Sequence, residues 1–333
     1  MRHVISQTPL RISLFGGGTD YPAYYQRKPG AVLGFTIDQY IYVTLNTVSR
    51  FFSPRFRVSY SKIEEIKSVA EIQHPSIRTC LQYKGVDTPL DIHVSADLPA
   101  KTGLGSSSSF TVGFLNALYA LQGVRSSKKS LADEALHVEQ TLIGERVGSQ
   151  DQYHAAFGGV NVFEFSQDKI CARPVIMPPA NRLALQNHLF VFYTGLTRFA
   201  HEVLKEQLAN TDARVCDRVL ERMYEMVFEA EDILSKAPAA EVPLLLGSLL
   251  HESWKLKKQL SNQISNPWID KVYEKAIESG AAGGKLCGAG GGGFLAFLVP
   301  SHAIGKVKEA LSDLPEVTFH LEPHGSTILY MKE

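Results

Sequence analysis

Pro99-Ala100-Lys101-Thr102-Gly103-Leu104-Gly105-Ser106-Ser107-Ser108-Ser109 joins two glycines to four consecutive serines. An alternating strand, residues 90–96, precedes it, and an apolar helical period follows over about 107–122. Glycine lets backbone approach a ligand closely and reach positive φ. Unpaired N–H groups at a helix start, aided by the helix dipole, make an anion site. The serine hydroxyls add donors, and one of them can ligate a metal. Taken alone, the same residues also fit a serine N-cap after a glycine turn. The loop is not a Walker A motif, because no G-x-x-x-x-G-K-[ST] occurs in the chain.

Two more glycine clusters lie on either side of it, Gly16-Gly17-Gly18-Thr19-Asp20 and Gly288-Ala289-Gly290-Gly291-Gly292-Gly293. The last contains G-x-G-x-x-G at Gly288, Gly290 and Gly293, but it runs straight into an apolar strand at 294–299. A dinucleotide fingerprint sits between a strand and a helix, with an acid downstream, so that reading is disfavoured. A plain turn explains the cluster, and so does a loop packed against the other two.

Residues 10–15 alternate, with Leu10, Ile12 and Leu14 on one face and Arg11 and Ser13 on the other. Residues 31–45 read as two strands broken near Asp38-Gln39. A second helix is expected from Ser130, where S-L-A-D resembles a capping box. Pro174, Pro178 and Pro179 interrupt the pattern before a strand at 188–193, which divides the chain into domains at 1–185 and 186–333. Residues 198–279 are helical in period. Strands at 294–299, 317–321 and 327–331, with a helix at 304–314, close the chain. Strands and helices mix without strict βαβ alternation, so the expected class is α+β.

The 333 residues suit two domains, and 44% hydrophobic with 20% charged residues is ordinary for a globular chain. Lys and Arg together number 34, as do Asp and Glu, and no segment is strongly basic, which argues against a nucleic-acid partner. No apolar run suits a membrane span or a secretion signal. Cys80, Cys171, Cys216 and Cys287 lack CxxC spacing and read as reduced thiols of a cytoplasmic protein.

Glu139 lies in the helical stretch 131–143 with Ala135, Leu136, Leu142 and Ile143 at helical spacing. A carboxylate on that stripe needs a partner or a metal, unless it reaches solvent from the edge. Ser149 and Gln152 resemble a second capping box, which puts Asp151 in a first helical turn. There it either complements the dipole or accepts a proton from a substrate hydroxyl. Asp20 is a turn residue or a ligand, and Arg11 a surface ion-pair partner or a site residue.

Together these pieces resemble the GHMP kinase superfamily (galactokinase, homoserine kinase, mevalonate kinase, phosphomevalonate kinase). Three motifs occur in family order: P-L-R-I-S-L-F-G-G-G-T-D-Y-P at 9–22, P-A-K-T-G-L-G-S-S-S-S at 99–109 and K-L-C-G-A-G-G-G-G at 285–293. The resemblance implies an N-terminal domain like ribosomal protein S5 domain 2 and a ferredoxin-like C-terminal domain with added helices. It implies ATP on the phosphate loop, contacted by Pro99, Lys101, Gly103, Leu104, Gly105, Ser106, Ser107 and Ser108. Mg2+ would lie on Ser107 and Glu139, and Asp151 would act as base with Arg11 orienting the acceptor hydroxyl. Gly17, Gly18, Thr19, Asp20, Gly290 and Gly291 would line the acceptor.

The first motif departs from the G-E-H-T-D-Y of galactokinases. Its G-G-G-T-D form resembles D-glycero-D-manno-heptose 7-phosphate kinases and the fucokinase branch. The heptose enzymes phosphorylate the anomeric C1 hydroxyl, for nucleotide-activated heptose in surface glycans. A substrate that already carries phosphate needs cations, for which Arg198 and Lys101 are the candidates, with Arg78 and His74 behind them. The alternatives are a fucokinase- or galactokinase-like sugar-1-kinase and a sugar-sensing protein without catalysis. The partners implied are ATP and a sugar phosphate, on a monomer or homodimer.

Overall fold

The strand that carries Arg11 is longer than its alternation suggests. In the computed structural model, which describes residues 2–49, 51, 54–196 and 200–332, it spans His3–Phe15 (β1) and pairs antiparallel with Gly30–Thr47 (β2). A short helix, Pro22–Tyr25 (α1), lies in the turn between them. The expected break in β2 is a bulge. Pro9 pairs with Tyr40 and Leu10 with Ile37, so Asp38 and Gln39 are the extra residues and the strand continues through them.

The first sheet continues through Phe56–Ser59 (β3) and Ile63–Ile66 (β4), then, after helix Pro75–Tyr83 (α2), through Leu90–Ala96 (β5). Its order is β4-β3-β5-β2-β1, with β3 and β5 parallel. Helix α3 (Ser106–Leu121) crosses its inner face. It is followed by Lys128–Leu136 (α4), a π-helical segment His137–Ile143, and Gln150–Phe157 (α5). The sequence places the α4 cap at Ser130, whereas the structure places it at Ser127, whose side chain accepts from the Ser130 N–H at 3.0 Å. Val160–Phe165 (β6) pairs with β2, and Ile170–Pro174 (β7) pairs with β6.

Helix Pro179–His188 (α6) leads to Leu189–Tyr193 (β8). Four helices follow, Ala200–Asp212 (α7), Asp217–Lys236 (α8), Val242–Lys257 (α9) and Pro267–Glu278 (α10), and then Gly283–Leu286 (β9), Phe294–Leu298 (β10), Ile304–Ala310 (α11) and Glu316–Val317 (β11). The second sheet has the order β11-β8-β10-β9, antiparallel throughout. Numbered within the sheet this is 4-1-3-2 on a β-α-β-β-α-β plan, the ferredoxin-like pattern with extra helices in its first crossover.

The last strand, Thr327–Lys332 (β12), pairs with β1 and so belongs to the first sheet. A cut at 185/186 therefore does not separate the sheets, because the chain returns across it. The largest core also crosses that line. Val227, Ala230, Leu246 and Leu250 of α8 and α9 pack in the same cluster as Leu10, Ile12, Val32 and Leu118.

Backbone contact between two glycine clusters pins the halves together. A Cβ on Gly288 (φ +73°) would stand 2.4 Å from the Gly103 Cα, and one on Gly103 (φ +86°) would stand 2.4 Å from the Cys287 carbonyl oxygen. Neither position has room for a side chain. Gly288→Ala is predicted to cost about 1–3 kcal/mol of unfolding free energy. Urea unfolding checks this, and a variant within about 0.5 kcal/mol of the parent would contradict it.

Candidate functional site

The phosphate loop emerges from β5 and turns through Lys101 (φ 63°), Gly103 (φ 86°) and Gly105 (φ 78°). A non-glycine residue at positive φ is strained, and such strain gathers at functional sites. Gly105 is the N-cap of α3 and no side chain caps it. Ser106 is half-buried and Ser107 exposed, so the helix start opens outward. The arrangement matches an anion cradle better than a serine-capped turn, because the cap position is glycine. Leu104 is buried, and its carbonyl accepts the Arg11 N–H at 3.0 Å, so it anchors the loop to β1.

Arg11 and Ser13, expected on a polar strand face, are both buried. That face lies under the phosphate loop and α5 rather than under water. Arg11 binds Asp151 in a fork, Nε to Oδ1 and Nη2 to Oδ2, each at 2.8 Å, and Nη1 donates to the Gly103 carbonyl at 2.7 Å. The Arg11 side chain is 5% exposed and that of Asp151 24%, so one edge of the carboxylate remains open. Such a paired, partly open carboxylate can take a proton from a hydroxyl while the guanidinium holds its orientation. Asp151 stands in the first turn of α5, as the sequence suggests, but Ser149 makes no side-chain cap. The Ser149 hydroxyl lies 3.1 Å from the Tyr25 hydroxyl and 3.2 Å from Gln140 Nε2.

Glu139 is buried inside the π-helical turn, a distortion common at functional sites. Its Oε2 accepts from Ser108 Oγ at 2.9 Å and from the Gln152 amide. Its Oε1 is buried without a partner among the described residues. Burial pushes this carboxyl up to about 7, against the pull of Thr111, Gln152 and Ser108. A cation suits the vacant oxygen. Among the described residues no group of three or more His, Cys, Asp or Glu could hold a metal ion, and the donors beside that oxygen are a carboxylate and a serine hydroxyl. The sequence pairs Ser107 with Glu139. The structure puts Ser108 there, because Ser107 is rotated about 100° around the helix toward solvent.

The expected acceptor residues divide. Gly17 is half-exposed, and a Cβ added there would find Gln150 Nε2 and Ser13 Oγ nearest, each at 3.8 Å. Gly18 packs under Leu220 and Leu260. Thr19 is fully buried, and its hydroxyl lies 2.8 Å from the Gly16 and Ala31 carbonyls, so it closes the turn and does not face a substrate. Asp20 is also fully buried. Its carboxylate accepts from the Gly18 N–H and from Gln150 Nε2, each at 2.9 Å. Burial, with the nearby Asp151 charge in support, raises its pKa against those hydrogen bonds. In this arrangement the Asp20 carboxylate is enclosed and held by these two donors. Gly290 is half-exposed, whereas the Gly291 N–H is bound to the Ile264 carbonyl at 2.9 Å and is not free for a ligand. Arg198 lies outside the described residues. His74 caps α2, accepting weakly from the Ile77 N–H at 3.5 Å, and the Arg78 guanidinium donates to the Ile72 carbonyl. In this geometry the partners of both are backbone groups of their own neighbourhood, Ile77 and Ile72.

Gln150 and Gln152, on either side of Asp151, hold Asp20 and Glu139 in turn. The sequence singles out Gln152 only as a capping-box partner of Ser149, and Gln150 not at all, although their alternation about an acid is visible in the chain. Tyr21 also faces Asp20 and Asp151. Burial and these charges keep its phenol protonated.

Sequence profiles now place the chain. The profile of the GHMP kinases N terminal domain matches residues 66–159 and that of the GHMP kinases C terminal region matches 233–316, together more than half of the chain. The chain belongs to the GHMP kinases. Members of the family are ATP-dependent kinases. The chain is similar to the D-glycero-alpha-D-manno-heptose 7-phosphate kinase of Campylobacter jejuni, 28% identical over 315 residues that cover 90% of each chain. It is 25% identical to the galactokinase of Thermotoga maritima over 92% of each. Its fold is like that of a D-glycero-D-manno-heptose 1-phosphate kinase from Bacteroides thetaiotaomicron, with TM-score 0.79 and 22% identity over 99% of this chain and 100% of that one. The likenesses to the Campylobacter and Thermotoga enzymes support a sugar kinase. Among the described residues no helix of this GHMP kinase is long and apolar enough to cross a membrane.

Glu139 gives a pH signature in the absence of metal. Its carboxyl keeps a proton up to about 7 when folded, whereas the unfolded chain releases it near the ordinary value of 4.5. Its contribution to stability is therefore fullest below 4.5 and is lost as pH rises to about 7. In chelator, Glu139→Gln should gain on the parent by up to about 3 kcal/mol between about pH 4.5 and 8. A gap in unfolding free energy that stays flat over that range would contradict the assignment.

Proposed function

We propose that this GHMP kinase transfers the γ-phosphoryl group of ATP to the anomeric C1 hydroxyl of D-glycero-D-manno-heptose 7-phosphate, giving the 1,7-bisphosphate. The observation that carries the reading is the forked Arg11–Asp151 pair, tied to the phosphate loop through the Gly103 carbonyl. It sets a proton acceptor beside an anion cradle, which is what direct transfer to a hydroxyl needs. The heptose is supported by the G-G-G-T-D form of the first motif and by the likeness to the Campylobacter enzyme. The cytoplasm supplies the ATP.

In this scheme the acceptor hydroxyl sits against the open edge of Asp151. Asp151 takes the hydroxyl proton as the new P–O bond forms, and ADP leaves with the electrons of the broken bond. Arg11 fixes the orientation of the carboxylate through its two hydrogen bonds. The N–H groups of Ser106 and Ser107 face the phosphate chain, and the α3 dipole favours its charge. Mg2+, held by Glu139 with a serine of the 106–108 run, supplies neutralising charge to the phosphates when bound. No phosphoenzyme is required.

ATP consumption measured side by side with heptose 7-phosphate, fucose and galactose tests the reading. The heptose is expected to give the highest kcat/KM, and faster turnover of galactose or fucose would overturn the substrate. Tight sugar binding without any ATP consumption would indicate a sensor. Asp151→Asn, with folding checked by circular dichroism, should lose about 10²–10⁴-fold in kcat. Near-normal turnover would remove Asp151 from the role of base.

A further inference from the structure

Beneath the third glycine cluster lie two lysines that the scheme above does not use. Lys257, at the end of α9, and Lys285, on β9, are 5% and 4% exposed. The Lys257 Nζ donates to the Gly288 carbonyl and lies 3.4 Å from the Leu286 carbonyl. The Lys285 Nζ donates to the carbonyls of Ser13 at 2.8 Å and Leu14 at 3.0 Å. One amine thus grips the loop that packs on Gly103, and the other grips the end of the strand that carries Arg11.

Neither amine forms an ion pair among the described residues. The charged and titratable groups that face them are few. Arg11 reaches them from β1 but is already matched by Asp151. Asp20 reaches them from the first glycine turn, and its own burial pushes its carboxyl toward the neutral form. Cys287 stands beside both, and burial keeps its thiol protonated. On the exposed side of α9, His251, Lys255 and Lys258 add no negative charge. A buried cation without a counter-charge costs several kcal/mol, so proteins pair such groups, neutralise them or reserve them for an anionic ligand. Burial pulls Lys257 down to about 8 and Lys285 far below its ordinary value, with the Lys257 charge adding to the effect on Lys285.

Taking the chain as the kinase proposed above, we propose that Lys257, backed by Lys285, is a positioning residue whose counter-ion is the phosphate-bearing substrate bound over the glycine loops, so that binding draws one proton onto Lys257. Either protonation state can donate to the Leu286 and Gly288 carbonyls, since a neutral amine keeps two N–H groups. The loop therefore stays docked, and only the charge beneath it changes. The proton comes from solvent and goes to Nζ, and no covalent bond to a heavy atom is altered. The arriving phosphate restores the favour for the ammonium that burial removed.

Titration calorimetry in buffers of different ionisation enthalpy reads this directly. A non-hydrolysable ATP analogue with Mg2+ and heptose 7-phosphate are titrated separately, so that the source of the phosphate is distinguished. At pH 8 the intact protein should take up about half a proton with at least one of them, because Lys257 is then about half charged. Uptake should fade by about pH 6.5, where the amine is already charged. Lys257→Met should lose the uptake and bind that ligand at least tenfold more weakly, while Lys257→Arg should lose the uptake and keep the affinity. Binding of both ligands at pH 8 without proton uptake by the intact protein would overturn the proposal, even if no variant folds. If only one ligand binds, its binding without proton uptake overturns the proposal in the same way; if neither binds, the kinase reading fails and the proposal falls with it.

Discussion

The Arg11 guanidinium donates in one direction to Asp151 on α5 and in another to the Gly103 carbonyl of the phosphate loop, while its own backbone N–H binds Leu104. Three segments that share no sequence proximity meet at this one buried side chain. Removing it would leave an anion half-buried beside an unpaired carbonyl, a situation more costly than the pair itself is stabilising. The glycines around it follow from the same constraint. Gly105 lies against the aliphatic stem of Arg11 and against Asp151, and Gly148 lies against Asp20, where added Cβ atoms would stand 3.2 Å and 2.1 Å away. The site is thus built by backbone approaching backbone and charge, with little side-chain bulk between.

The path of the C-terminal chain extends that logic to the whole molecule. β12 returns to β1, and α8 and α9 share the core of the first sheet. The third glycine cluster is therefore held against the second by covalent continuity at both ends as well as by contact. Separating the two glycine clusters would have to bend these connections.

Much of this is legible in the sequence. The strand–loop–helix at 90–122 and the first-turn position of Asp151 carry local signals, namely glycine, proline and helical period. Glu139 is legible as a misplaced acid on an apolar stripe. The same test, applied to Lys257 with Leu250, Trp254 and Leu260 at helical spacing, finds the buried lysine as well. What the sequence leaves open depends on long-range packing. The alternation of β1 marks Arg11 as outward, yet outward here means beneath the phosphate loop. Thr19 and Gly291 look available, yet their polar groups are taken by Gly16, Ala31 and Ile264. Which serine of the run meets Glu139 depends on the phase of α3 against the π-helical segment, a packing relation that no local propensity announces.

Hydrogen exchange of the backbone amides with and without a non-hydrolysable ATP analogue and Mg2+ tests most directly that the loop around Gly103 and Gly105 is a phosphate cradle. Strong added protection at residues 103–108, with smaller protection at 288–293 where that loop packs against it, is the predicted result. Nucleotide-dependent protection elsewhere, with 103–108 unchanged, would contradict it.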